Sequence, residues 1–114
     1  MIRKVITLAI CLFSFSSFAL TSCPQALPAN QPGFCETFKT SVTCFCSNTL
    51  PKRMCENINQ IYQLMIARYG SIEIACKFQR ETSVQICLDD WRCYKNGGVD
   101  SQGGPCNGSG QACI

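Results

Sequence analysis

The stretch from Pro51 to Tyr69, PKRMCENINQIYQLMIARY, decides the fold because its apolar residues recur at helical spacing. They follow one another at steps of four, three, four and four: Met54, Ile58, Ile61, Met65 and Tyr69. Thr49 can cap the start, the proline suits a first turn, and Gly70 can close the end. The pattern therefore predicts an amphipathic helix over 51–69 that buries its stripe against other helices.

Three more helices are predicted on the two sides of this stretch. Before it, phenylalanine and valine at helical spacing predict a helix over 34–47, and Asn48 to Leu50 breaks it. After it, Ser71 can cap a third, shorter helix, and Thr82 or Ser83 can cap a fourth. The face of the fourth helix is formed by Val84, Cys87, Leu88 and Trp91, and Asn96-Gly97-Gly98 ends it.

The chain is therefore predicted to be mainly α, a small disulfide-rich domain of three to four short helices. The helical domain spans 34–96 and follows a proline-rich lead-in over 23–33. A glycine-rich tail with two cysteines covers 97–114. Cys106 and Cys113 are expected to order this tail, by pairing with each other or by bonding back to the helices.

Residues 1–22 have the pattern of an export signal. Arg3 and Lys4 precede a short apolar run over 5–18, too short and too interrupted for a helix that spans a membrane. Two processing sites compete. Cleavage after residue 19 would follow the small residues of Ser-Phe-Ala, whereas cleavage after residue 22 would use the lipobox-like Leu-Thr-Ser-Cys and attach lipid to Cys23.

Cysteine count and parity predict disulfides. Cleavage of the signal would remove Cys11 and leave ten cysteines in about 95 residues. This cysteine content exceeds the roughly 8–10% that is typical of disulfide scaffolds. An oxidising compartment outside the cytoplasm is where such scaffolds form. Lipid on Cys23 would leave an odd nine, so parity favours the unlipidated product. The structural candidates are Cys35, Cys44, Cys46, Cys55, Cys76, Cys87, Cys93, Cys106 and Cys113.

Composition argues against several classes of function. The chain contains no histidine, which removes histidine-dependent hydrolysis and histidine metal sites. Without Arg3 and Lys4, eight basic and seven acidic side chains give a net charge of +1, so nucleic-acid binding is not expected.

Two motifs could carry chemistry. Cys44-Phe45-Cys46 could exchange disulfides or bind zinc, but two structural half-cystines with different partners explain it better. Asp89-Asp90 could bind calcium or act as a carboxylate pair, but adjacent helical residues diverge by about 100°. A solvated helix face is the favoured interpretation. We therefore expect no catalytic, cofactor-binding or metal-binding residues.

Three features resemble a small cysteine-rich accessory protein of a bacterial type IVB secretion outer-membrane core: the short export signal with Leu20-Thr21-Ser22-Cys23, the helical stretch from Cys55 to Cys76, and the Gly/Cys tail. The resemblance implies a structural role in the cell envelope and carries over no functional residue.

The sequence thus predicts an exported, non-enzymatic domain that binds a partner protein. Periplasm or outer membrane is the expected location, with contact to a membrane only through lipid on Cys23. The helix 51–69 or the tail is the expected contact surface. A freely secreted effector, toxin or enzyme inhibitor is the alternative, and an enzyme that uses carboxylates or a thiol is the third.

Overall fold

A computed structural model describes residues 22–114, and this part of the chain is mainly helical, as predicted. Its α-helices are α1 (Phe34–Thr49), α2 (Ile58–Tyr69), α3 (Ile72–Phe78) and α4 (Val84–Asn96), with 3₁₀-helices at Lys52–Cys55 and Cys106–Gly108. None of the helices between residues 22 and 114 is long and apolar enough to cross a bilayer. The predicted export signal lies outside the described residues, apart from Ser22.

Helix α1 confirms the helix predicted over 34–47 and extends it by two residues. Phe34 and Phe38 are buried one turn apart on the same face. The helix ends where Leu50 becomes extended and its amide donates to the Cys46 carbonyl. Pro51 follows and cannot donate to continue the hydrogen-bond ladder.

The single helix predicted over 51–69 is wrong, because the stretch divides into the first 3₁₀-helix and α2. Asn57 has extended backbone angles (φ −119°, ψ 116°), and its side chain accepts a hydrogen bond from the Asn59 amide. It is therefore the N-cap of α2. Thr49 caps neither element, since it is the last residue of α1, while Gly70 ends α2 as expected.

Serine caps start the last two helices, as the sequence predicted. The Ser71 hydroxyl accepts from the Ile74 amide at 3.2 Å, and the Ser83 hydroxyl accepts from the Ile86 amide at 3.2 Å. Ser83 rather than Thr82 is thus the cap of α4. Helix α4 ends at Asn96, and Gly97 follows with a φ of 69°.

An aromatic cluster around Phe38 fills the main core. The Phe38 ring lies 4.9 Å from Trp91 in an edge-on arrangement and 5.2 Å from Phe34 in a stacked one. Tyr94 lies 5.4 Å from Phe38, and Tyr62 packs on Trp91 at 5.3 Å. These contacts join α1, α2 and α4 into one unit.

Five disulfides fasten the helices, the lead-in and the tail. The structure bonds all nine structural candidates and Cys23 in the pairs Cys23–Cys44, Cys35–Cys113, Cys46–Cys55, Cys76–Cys87 and Cys93–Cys106. Of the two arrangements expected for the tail, the structure has the one in which both cysteines bond back to helices. Cys44 and Cys46 have different partners, which confirms the structural interpretation of the Cys-x-Cys motif.

Candidate docking surface

One large aromatic side chain is left outside the core. Phe78, the last residue of α3, is 66% exposed, and its ring stacks on that of Tyr69 at 5.3 Å with an interplanar angle of 17°. Ile74 lies one helical turn before Phe78 on the same face and is 41% exposed. We call Tyr69, Ile74 and Phe78 the α3 surface.

The positions of Ile74 and Phe78 around the axis of α3 explain why these two side chains face outward. Ala75 and Cys76 point into the protein, with 2% and 0% exposure. Residues on a helix diverge by about 100° per position, so Ile74 and Phe78 lie nearly opposite Cys76. The single bond from Cys76 to Cys87 holds α3 against α4 and thereby fixes the α3 surface.

A side-chain network closes the turn after α3. The Gln79 amide donates to the carbonyls of Cys76 and Thr82 at 3.0 and 2.7 Å. Its oxygen accepts from the amides of Glu81 and Thr82 at 3.1 and 3.0 Å. Phe78 therefore lies between a ring partner on α2 and an ordered turn.

The charged side chains around the α3 surface are unequally neutralised. Glu73 is paired with Arg92 at 3.0 Å, which is the only ion pair between residues 22 and 114. A backbone hydrogen bond at the start of α3 and then the Arg92 side chain lower the pKa of Glu73. The Arg68 guanidinium lies 5.7 Å from the centre of the Tyr69 ring, and Lys77 is exposed beside Phe78.

The two contact surfaces expected from the sequence, the 51–69 stretch and the tail, differ in how far their apolar side chains are exposed. In the 51–69 stretch, Ile58 and Ile61 are buried in the core, whereas Tyr69 at the end of the same stripe is half-buried and belongs to the α3 surface. In the tail, Val99 and Ile114 are 65% and 59% exposed. Phe78 is 66% exposed, whereas Phe34, Phe38, Trp91 and Tyr94 are buried. Its position opposite a buried cysteine on a seven-residue helix is the signal that could have identified it.

The acidic pair on α4 does not form a solvated face, so that prediction is wrong for Asp90. Asp90 is 8% exposed, and burial, with a smaller effect of the Asp89 charge, raises its pKa to about 7. Asp89 instead accepts hydrogen bonds from the amide and hydroxyl of Ser101 at 3.1 and 2.7 Å. The two carboxyl groups therefore have separate environments and separate roles.

Asp89 and Asp100 both order the tail. One carboxylate oxygen of Asp100 accepts from the amides of Gln102 and Gly104, at 3.0 and 2.8 Å. In residues 22–114 no three His, Cys, Asp or Glu side chains come together in a way that could hold a metal ion.

Cys23 has a structural bond in place of a free thiol. Its sulfur is bonded to Cys44, and the Asn48 amide group donates to the same sulfur at 3.4 Å. A lipid thioether would need that sulfur, so the disulfide and the lipid are mutually exclusive.

A shallow hollow of about 440 Å³ lies between α1 and the first 3₁₀-helix, lined in part by Thr40, Thr43 and Ser47. The three hydroxyls donate to α1 carbonyls one turn earlier, at 2.9, 2.9 and 2.8 Å, so their donors are already used. Lys52 and Glu56 line the other side of the hollow.

Comparison with protein-family models, curated proteins and solved structures finds no match to this chain.

Proposed function

We propose that this chain is an exported, non-enzymatic domain that binds a partner protein through the α3 surface. In this proposal it acts as an accessory subunit of a bacterial envelope assembly, such as a secretion system. The observation that carries the proposal is the 66% exposure of Phe78, in a protein that buries Phe34, Phe38, Trp91 and Tyr94.

Exposed aromatic side chains in clusters are characteristic of binding surfaces, where a few anchors provide most of the affinity. Stacking on Tyr69 limits the rotamers of Phe78 before a partner arrives. The Cys76–Cys87 bond restricts the movement of the α3 backbone relative to α4. A surface that is ordered in advance loses less entropy on binding.

The five disulfides indicate an exported, non-cytoplasmic protein, because such bonds persist in oxidising compartments. They also support a non-enzymatic role, since they occupy every cysteine from Cys23 onward. The carboxyl groups of Asp89 and Asp100 accept hydrogen bonds in the tail. Asp90 is buried, with 8% exposure.

A co-purification experiment tests the proposal. Tagged wild-type protein and the Phe78→Asp variant are recovered from the envelope fraction of the producing cells, and the bound proteins are identified by mass spectrometry. Val99→Asp is the matched control, since Val99 is 65% exposed. We expect one protein to be lost with Phe78→Asp and kept with the control. Equal recovery from both variants would contradict the proposal.

The bond between Cys23 and Cys44 favours a second candidate, a freely secreted effector, toxin or inhibitor. An unlipidated N-terminus leaves the protein without an anchor of its own. Fractionation distinguishes the two roles: the protein is found in the culture medium if it is secreted, and with the envelope if it is a subunit.

A further inference from the structure

We propose that the partner presents an apolar side chain flanked by carboxylates, which Arg68 and Lys77 bind on two sides of the α3 surface. This inference rests on the protein-binding role proposed above and adds the chemistry of the partner.

Within α3 and the last turn of α2, the side-chain charges left without an ion pair are positive, because the acid of α3 is already paired. Glu73 precedes Ile74 in α3, but its carboxylate bonds to Arg92 on α4. Lys77 and Arg68 have no ion-pair partner within the described part of the chain. An incoming carboxylate therefore meets two cations that no salt bridge within residues 22–114 satisfies.

The two cations lie on different elements, and each belongs to the same helical turn as a residue of the α3 surface. Arg68 is in the last turn of α2 and lies over the Tyr69 ring. Lys77 is in the last turn of α3, three residues after Ile74 and next to Phe78. A guanidinium over a ring keeps the N–H groups at its edge free to bind a carboxylate.

The charges argue against a second copy of this chain as the occupant, since a two-fold interface would bring like cations together. The small apolar area argues against a membrane. Three apolar side chains beside a seven-residue helix fall well short of the extended apolar face of an interfacial helix.

Photo-crosslinking identifies the occupant directly. The variant Phe78→p-benzoylphenylalanine keeps an aromatic ring at the surface, and Val99→p-benzoylphenylalanine is the matched control. Both full-length proteins are irradiated in the cells that produce them, and the crosslinked peptides are sequenced. We expect position 78, and not position 99, to capture a protein segment with an apolar residue between Asp or Glu residues.

The same experiment measures the contribution of charge. Adding Lys77→Glu or Arg68→Glu should lower the yield of the crosslink at least about fivefold, because reversed rim charges slow association. Lys39→Glu, on the exposed side of α1, should leave the yield unchanged. Circular dichroism of each purified variant confirms that it is folded.

The remaining outcomes separate the two proposals. A crosslinked segment without carboxylates, or an unchanged yield with both charge reversals, overturns this inference and leaves the protein-binding role intact. Crosslinks only to lipid or to a second copy, or no crosslink at position 78, contradict both.

Discussion

Cys23 and Cys44 are bonded to each other, with their Cα atoms 5.8 Å apart, so the lead-in is fastened to α1 by the sulfur that a lipoprotein would use for its anchor. Removal of the predicted signal would leave an even number of cysteines, and together with this bond that number favours the predicted cleavage before Leu20.

The first prediction concerns the mature N-terminus. The purified native protein should begin at Leu20, carry no lipid and have all ten cysteines in disulfides. Intact mass spectrometry before and after reduction measures all three properties. A diacylglyceryl group on Cys23 would show instead that the lipobox is used and that Cys44 needs another partner.

The second prediction is that Asp90 makes stability depend on pH. Its pKa is about 7 in the folded protein, against an ordinary value of 3.8, so between these values folding takes up a proton. Raising the pH from about 4 to about 7 therefore destabilises the fold, by up to about 4 kcal/mol from this group. Below about pH 4 the full contribution is retained.

The variant Asp90→Asn isolates this effect. Its stability relative to wild type, measured by urea unfolding, should rise between about pH 4 and pH 7 and stay constant above. Glu56→Gln, the same change of carboxyl to amide at an exposed position, is the control. A flat difference for Asp90→Asn would mean that the folded protein ionises Asp90 as readily as the unfolded chain does.

The third prediction ranks the disulfides by the loops that they close. Cys35–Cys113 spans 78 residues and Cys46–Cys55 spans 9. In the chain-entropy model, replacing the first pair by serine costs about 4.5 kcal/mol and replacing the second about 2.5 kcal/mol. Cys46 and Cys55 are the more buried pair, so lost packing does not explain this order. Chemical denaturation of the two double variants measures it, and the reverse order would rule out the entropic explanation.

The fourth prediction concerns how the tail is docked. A Cβ atom at Gly97 would lie 2.6 Å from the Ala112 amide nitrogen, whereas a Cβ at Gly70 would meet nothing within 4 Å. Both glycines have positive φ, so alanine strains each by about 1–2 kcal/mol. Only Gly97→Ala should also displace the tail.

Hydrogen exchange at Cys113 detects this displacement, because its amide donates to the Tyr94 carbonyl at 3.0 Å. We expect faster exchange in Gly97→Ala and little change in Gly70→Ala. If Cys113 remained equally protected in both variants, the close approach to Ala112 would not be what positions the tail.

The sequence predicted the helices because local signals encode them. Ser71 and Ser83 cap their helices through hydrogen bonds to amides three residues later in the chain. The stripe from Phe34 to Phe38 faces the core. The same local reasoning failed at Asn57, where a cap interrupts a stripe that continues at helical spacing on both sides.

Properties set by distant contacts could not be derived in this way. Ten cysteines allow many pairings, and the choice among them depends on how the lead-in and tail fold over the helices. The burial of Asp90 has the same origin, since the pattern of α4 alone does not show what covers it.

The bond between Cys35 and Cys113 has a consequence for how the protein is made. During export Cys35 emerges long before its partner, and the next cysteines to appear, Cys44 and Cys46, belong to other pairs. Sequential oxidation would therefore trap mispaired chains, which only thiol–disulfide exchange can release. We therefore expect an isomerase, added to an oxidant, to speed the formation of the native pairs.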